Sequence, residues 1–149
     1  MTVLDASPLI GLDRIGRLDL LPATLGAVAA PPAVVHEFGR RPVWLDEVPV
    51  RDSTLVRVLR ARLDAGEAEV ITLAVEVGAR AAVLDERRAR RVAAEAGVPV
   101  VGTVGLLLRA KRQGVVPAVR PLLDALVAAD FRLSAPLRAG ALERAGEAE

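Results

Sequence analysis

The sequence predicts an α/β protein with a mainly parallel central sheet, and three observations carry this prediction. Short apolar runs rich in Ala, Val and Leu alternate along the chain with stretches of helical periodicity. Two of these runs end on an aspartate, Asp5 and Asp85, and a helix is predicted after each. The chain has 149 residues, the length of one domain. We therefore expect a single domain over residues 1–149, built as a three-layer α/β/α sandwich.

The strands are predicted from apolar runs that stop at a turn residue or a carboxylate. Pro31 and Pro32 stop the second run, and Gly97 marks the start of the fourth. In the irregular connection 39–52 we expect a short strand at 47–50, and 131–133 is either a last short strand or an extended crossing. The four main predicted strands cover 3–4, 27–30, 80–84 and 97–101.

The helices are predicted from apolar spacings of three and four residues and from the residues at their ends. Ser7 suits the N-cap of the first helix, Pro8 its first position and Gly16 its C-terminal cap. The last helix is expected to begin at 134 and to end between 143 and 146, with a frayed tail beyond it. The other predicted helices cover 8–15, 17–25, 32–38, 53–63, 67–77, 86–96, 104–113 and 117–129.

The composition points to a cytoplasmic protein without disulfides. The chain has no cysteine, and its N-terminus lacks the pattern of a secretory signal, because Asp5 interrupts the first apolar stretch. No apolar run approaches the roughly 18 residues that would span a membrane. The net charge is +1, so the whole molecule has no basic field that would indicate nucleic-acid binding.

Four carboxylates stand out by position. Asp5 and Asp85 follow predicted strands, and Glu37 and Glu67 lie on helices beside apolar residues. In a parallel sheet, ligands bind at the carboxyl ends of the strands. Carboxylates gathered there repel one another, so they shift their pKa values or hold a cation. Oxygen ligands without cysteine favour Mg²⁺ or Mn²⁺ over Zn²⁺.

An acidic Mg²⁺ cleft suits the hydrolysis of phosphodiesters. Arg87, Arg88 and Arg91 follow Asp85 and are candidates for contacting an RNA backbone, although a solvated helix face is the ordinary interpretation of any one arginine. A structural alternative makes the acids helix caps and ion-pair partners, for example Asp85 with Arg88. Three aromatic residues and no Tyr do not predict a base-stacking surface.

Five ordered motifs across almost the whole chain resemble the PIN-domain superfamily, and within it the DUF3368 family, relatives of the VapC toxins. The resemblance implies a Mg²⁺- or Mn²⁺-dependent ribonuclease with an acidic active site. It also implies a homodimer and, in toxin members, a small antitoxin protein as partner. The motifs are Val-Leu-Asp-Ala-Ser-Pro-Leu-Ile at 3–10, Pro-Pro-Ala-Val-Val-His-Glu at 31–37, Leu-Asp-Ala-Gly-Glu-Ala-Glu at 63–69, Val-Leu-Asp-Glu-Arg-Arg-Ala-Arg-Arg at 83–91 and Val-Val-Gly-Thr-Val-Gly-Leu-Leu-Leu-Arg-Ala-Lys at 100–111.

The resemblance implies catalytic roles for Asp5, Glu37, Glu67 and Asp85. Asp5, Glu67 and Asp85 are the expected metal ligands, and Glu67 stands where VapC-type domains usually have aspartate. Its place in the first turn of a helix offers a structural alternative, because the helix dipole favours a carboxylate there by about 0.3–1 kcal/mol.

Two residues are expected to support these acids. Ser7 matches the hydroxyl residue that supports the first aspartate. Thr103 stands where many PIN nucleases have a further acid or Asn, so it would contribute a hydroxyl or a water contact at most. This departure leaves a second hypothesis open, a binding or regulatory module of the same fold without useful turnover. Two late apolar helix faces offer a dimer surface, with ordinary core packing as the alternative; they comprise Leu106, Leu107, Leu122, Leu123, Leu126 and Val127.

Overall fold

A computed structural model describes residues 1–148 and contains a five-stranded sheet in which every neighbouring pair is parallel. The predicted α/β class with a parallel sheet is confirmed. The described part of the chain forms five strands and nine helices. The strands are β1 (Thr2–Leu4), β2 (Val28–Ala30), β3 (Leu45–Glu47), β4 (Ala81–Val83) and β5 (Val100–Val101).

The helices are α1 (Ala6–Arg14), α2 (Leu20–Leu25), α3 (Pro32–Phe38), α4 (Ser53–Leu59), α5 (Ala65–Val77), α6 (Arg87–Glu95), α7 (Thr103–Arg112), α8 (Arg120–Ala128) and α9 (Ala135–Arg144). They surround the sheet in two groups, which gives the three-layer arrangement. In one group α3 and α4 contact α5, and in the other α2 and α9 contact α7. Helix α5 packs on β1 and β4, and α2 packs on β2.

The strand order β3-β2-β1-β4-β5 puts the topological switch point between β1 and β4. β2 and β3 extend the sheet on one side of β1, and the chain then returns to add β4 and β5 on the other side. Leu4 lies opposite Val83 in the register, so the residues that follow each strand emerge side by side. In open parallel sheets the connections diverge at this point and leave a crevice for ligands. Asp5 and Asp85 therefore lie at the edge of the sheet where a site is expected.

The first helix begins earlier than predicted. Asp5, not Ser7, occupies the N-cap position, with φ −82° and ψ 174°, and its side chain makes no capping hydrogen bond. Ser7 and Pro8 are the second and third helical residues. Proline is tolerated there because the amides of the first turn have no acceptor within the helix.

The irregular connection also differs from the prediction. The strand within it is Leu45–Glu47 rather than 47–50, because fully buried Leu45 pairs with Val28 and sets the register. Residues 131–133 form no strand. The first of the two predicted possibilities, a last short strand, is therefore absent.

The late apolar helix faces belong to the core. Leu106, Leu107, Leu123 and Leu126 are fully buried and Leu122 nearly so, whereas Val127 is 47% exposed. These leucines therefore pack inside the protein, as the ordinary alternative held, and leave no large dimer surface there. None of the helices in residues 1–148 is both long and apolar enough to cross a membrane.

Glu147, near the end of the described residues, is held by hydrogen bonds. The Glu147 carboxylate accepts hydrogen bonds from the backbone amides of Val119 at 2.8 Å and Arg120 at 3.0 Å, and from Lys111 Nζ at 2.9 Å. These donors lower the pKa of Glu147 to about 2, the two amides lying at the start of α8. The side chain thus caps one helix and closes an ion pair with another. Fraying was expected beyond the last helix, and Glu147 has these contacts instead.

Candidate active site

Asp5 is a buried carboxyl group at the switch point. Only 8% of the residue is exposed, and its backbone N–H donates to the Val83 carbonyl at 3.1 Å, which fixes it between β1 and β4. The pKa of Asp5 is raised to about 7, mainly by burial, and the interaction with the Ala6 amide opposes this only in part. The negative charges of Glu67, Asp64 and Glu37 contribute to the same rise. Three predicted site residues, Asp5, Glu37 and Glu67, therefore share one electrostatic environment.

Asp64 belongs to the same cluster and was not predicted. Asp5 Oδ1 and Asp64 Oδ1 lie 3.5 and 3.6 Å from the point that a Cβ on Gly66 would occupy. Both carboxylate oxygens are therefore within van der Waals distance of the same point beside Gly66. The spacing Asp64-Ala65-Gly66-Glu67 is the sequence signal that could have singled out Asp64, because a cap residue three positions before Glu is typical of a helix start.

Glu67 has a structural role and a place in the site. It forms a capping box with Asp64: the Glu67 N–H donates to Asp64 Oδ1 at 2.8 Å, and the Asp64 N–H donates to Glu67 Oε1 at 3.2 Å. Glu67 is 9% exposed, and burial raises its pKa. Burial and the charge of Asp64 also raise the pKa of Glu37, which lies on α3. Neighbouring His36 is exposed.

Asp85 accepts hydrogen bonds on both carboxylate oxygens, and it is not among the charges that raise the pKa of Asp5. Ser7 Oγ and Thr103 Oγ1 donate to Asp85 Oδ2 at 2.6 and 2.7 Å, and the Thr103 N–H donates to Asp85 Oδ1 at 2.8 Å. Ser7 therefore contacts Asp85, whereas the resemblance placed it beside Asp5. Thr103 contributes its backbone amide as well as the expected hydroxyl, because it is the first residue of α7, where amides lack helical acceptors. The structural alternative of an ion pair between Asp85 and Arg88 is absent in residues 1–148.

A cavity of about 540 Å³ lies next to the acidic cluster and is lined by both acids and arginines. We call it the acidic groove, because it shares Asp64 and Glu67 with that cluster. Arg62 lies in its wall and was not predicted; its Nη1 is 3.0 Å from Glu95 Oε2 on α6, and its carbonyl accepts from Arg88 Nη1 at 3.5 Å. The groove thus brings carboxylates and guanidinium groups to one surface. Its lining residues are Arg62, Leu63, Asp64, Glu67, Glu86, Arg87, Arg88 and Arg91.

The sequence matches a known protein family over nearly its whole length. The family model DUF3368, described as a PIN domain, matches residues 1–147. The chain belongs to the DUF3368 family of PIN domains. No curated protein and no solved structure matches it. PIN domains are generally nucleases, and PIN nucleases typically use divalent metals.

The acids of this PIN domain fit a cation that keeps most of its water. In the described chain, no group of three or more His, Cys, Asp or Glu residues is placed to hold a metal ion, so Asp5, Glu67 and Asp85 do not form a three-ligand group. Mg²⁺ commonly binds through one or two carboxylates and retains several waters. Asp5 and Asp64, both close to Gly66, offer such a pair. Their oxygen chemistry suits a hard divalent cation, which would also offset the negative charge that Asp64 places near Asp5.

Proposed function

We propose that this PIN domain is a Mg²⁺- or Mn²⁺-dependent endoribonuclease that hydrolyses RNA phosphodiesters. The observation that carries the proposal is the state of Asp5: a buried carboxyl group at the switch point, with a pKa of about 7 and three further acids nearby. A negative charge on buried Asp5, close to other acids, lowers the stability of the folded protein. Binding a cation would relieve the repulsion, and the acidic groove lies directly beside it.

The proposed roles follow from the contacts of each residue. Asp5 and Asp64 would hold the cation, with Glu67 and Glu37 contributing negative charge. Asp85 has three hydrogen-bond donors on its two oxygens, so it fixes the wall of the crevice and keeps a defined orientation. When bound, a divalent cation lowers the pKa of water and stabilises the charge that develops on the phosphate.

The arginines of the acidic groove would bind the RNA backbone. Arg87, Arg88 and Arg91 come from the first turns of α6, and Arg62 comes from the connection before α5. Guanidinium groups pair well with phosphate oxygens and position a strand without reading its sequence. The net charge of +1 makes this a local attraction, confined to the groove.

The first experiment is a calorimetric titration with Mn²⁺, followed by cleavage of end-labelled RNA with and without Mn²⁺. We expect saturable Mn²⁺ binding and cleavage in the wild type, and loss of both in Asp5→Asn. Asp130→Asn is the matched control: Asp130 is exposed, and its φ of 67° is one that asparagine adopts readily. Equal cleavage by wild type and Asp5→Asn would contradict the proposal.

A second candidate function is a PIN-like binding or regulatory module with weak or no turnover. The lack of a three-ligand metal group in residues 1–148 and the presence of Thr103 in place of an acid favour it. Under this alternative the wild type binds RNA or a protein partner but does not cut RNA when Mn²⁺ is added. The same cleavage assay therefore separates the two functions.

We further propose that the nuclease acts as a VapC-like toxin, with a cognate antitoxin protein and a homodimeric state. The family resemblance supports these partners. Induced expression of the wild type should arrest bacterial growth, whereas Asp5→Asn should not. Light scattering on the purified protein should give twice the chain mass if it is a homodimer, and the single chain mass would contradict that state.

A further inference from the structure

A second groove lies on the other side of the connection between β4 and α6. We call it the β5 groove, because β5 forms its floor, with α7 and α9 as its walls. Its volume is about 500 Å³, and Asp85 and Arg90 are among the residues that line it. Asp85 lines the β5 groove, whereas its neighbour Glu86 lines the acidic groove. The two grooves therefore meet at the loop that carries Asp85.

Two arginines of the β5 groove have no partner in the described chain. Arg132 and Arg144 are exposed, and neither guanidinium makes a hydrogen bond or an ion pair within residues 1–148. Several other surface arginines are paired with acids, as Arg40 is with Asp13 and Arg138 with Asp124. Two unneutralised cations on one groove attract an anionic ligand with at least two negative groups.

Much of the remaining lining of the β5 groove is apolar. Val101, Val104, Leu108 and half-exposed Leu137 line the groove. Phe131, next to Arg132, also lines it. The groove thus combines a surface for a flat apolar group with separated positive charges. A nucleobase attached to phosphates has this combination of properties.

Gly140 leaves open space in the wall of the β5 groove. It lies inside α9, where glycine is less favourable than alanine, and it lines the groove. A Cβ at Gly140 would meet no atom within 4 Å, so packing within the protein does not require glycine. Gly105, by contrast, has a packing reason, because its Cβ would come within 2.9 Å of Val101. The unfilled space at Gly140 opens the groove to a bound group.

We propose that the β5 groove binds one nucleotide of the RNA beside the candidate active site. The base lies against the apolar wall, and the flanking phosphates contact Arg132 and Arg144. This inference rests on the proposed nuclease function. Asp85 lines the β5 groove and follows β4, the strand next to β1, so the groove begins at the strand ends that carry the acids. A base that is paired in a duplex is not free to lie on this wall.

The test measures binding of a fluorescent 12-nucleotide oligouridine by anisotropy, in EDTA so that no cleavage occurs. The double variant Arg132→Gln/Arg144→Gln is compared with Arg80→Gln, an exposed arginine just before β4 at the opposite edge of the sheet. In the double variant, the loss of two phosphate contacts should reduce the steepness of the plot of log association constant against log salt concentration by about 1.4. This corresponds to roughly 25-fold weaker binding at 0.1 M salt. Arg80→Gln should bind like the wild type.

Gly140→Leu supplies a second variant that removes no charge. Its side chain would enter the open space of the groove, and leucine favours the helix, so folding is preserved. We expect weaker oligouridine binding with an unchanged salt slope. An unlabelled RNA duplex should compete poorly.

The outcomes separate this inference from the function on which it rests. Cleavage of the same oligouridine by wild type with Mn²⁺, together with unchanged binding by both groove variants, overturns the β5 groove assignment and leaves the nuclease intact. Equal competition by duplex RNA overturns the placement of an unpaired base in the β5 groove. A wild type that neither binds nor cleaves oligouridine overturns both.

Discussion

Replacing Asp5 with asparagine should make the protein more stable at alkaline pH, although it removes the proposed cation ligand. The pKa of Asp5 rises from 3.8 in a free chain to about 7 in the folded protein, mainly because the group is buried. An acid whose pKa is raised by folding holds its proton more tightly in the folded state. The wild type therefore loses stability as pH rises through the interval from 3.8 to about 7.

The magnitude follows from the shift. One pKa unit corresponds to about 1.36 kcal/mol, so the charged form of Asp5 costs about 4 kcal/mol above pH 7. The residue is 8% exposed, so solvent screens little of this cost. For a chain of this size, 1 kcal/mol moves the melting temperature by about 2–4 °C. Asn carries no charge, and Asp5→Asn should therefore raise Tm by roughly 10 °C at pH 8 and by much less at pH 5.

The assay is thermal unfolding in EDTA, followed by circular dichroism at pH 5 and pH 8. Glu37 and Glu67 also have raised pKa values, so the informative quantity is the difference between wild type and variant at each pH. Asp130→Asn controls for the loss of one surface carboxylate. The reasoning is refuted if Asp5→Asn shifts Tm equally at both pH values, because the burial of a charged Asp5 would then contribute nothing.

Two further predictions concern the contacts that organise the site. Asp64→Ala removes the side chain that caps α5 and should lower the free energy of unfolding by about 1 kcal/mol, measured by urea denaturation. The control is Asp52→Ala, which removes the corresponding cap at the start of α4, remote from Asp5. Thr103→Val keeps the side-chain shape but takes one hydroxyl donor from Asp85, and should cost about 1–3 kcal/mol in the same assay. An unchanged unfolding midpoint in Thr103→Val would show that Asp85 does not depend on this donor.

Apolar runs and strand-end carboxylates were enough to place Asp5 and Asp85 at the same edge of the sheet. Local signals also set the bounds of α3 correctly, because two prolines start it and Gly39 ends it. These features depend on residues close in sequence. For that reason the parallel sheet and its crevice were predictable without knowledge of distant contacts.

What was missed depends on contacts between distant parts of the chain. The hydroxyl of Ser7 lies 78 positions from its acceptor Asp85, and nothing local distinguishes Asp85 from Asp5 as its partner. Likewise, Glu147 is fixed by amides 27 and 28 residues away, so the tail looked free. Asp64 is different: its capping-box spacing with Glu67 was visible in the sequence.

The contacts of Asp85 make the two sides of the crevice unequal in stiffness. Ser7 follows β1, Asp85 follows β4 and Thr103 follows β5, so one carboxylate ties together the ends of three adjacent strands through uncharged donors. That side of the crevice is complete on folding and needs no ion to assemble. The opposite side, at the start of α5, holds like charges close together. An arriving cation would therefore draw the first turn of α5 inward against a fixed frame, so exchange broadening in NMR spectra should be concentrated at residues 64–67.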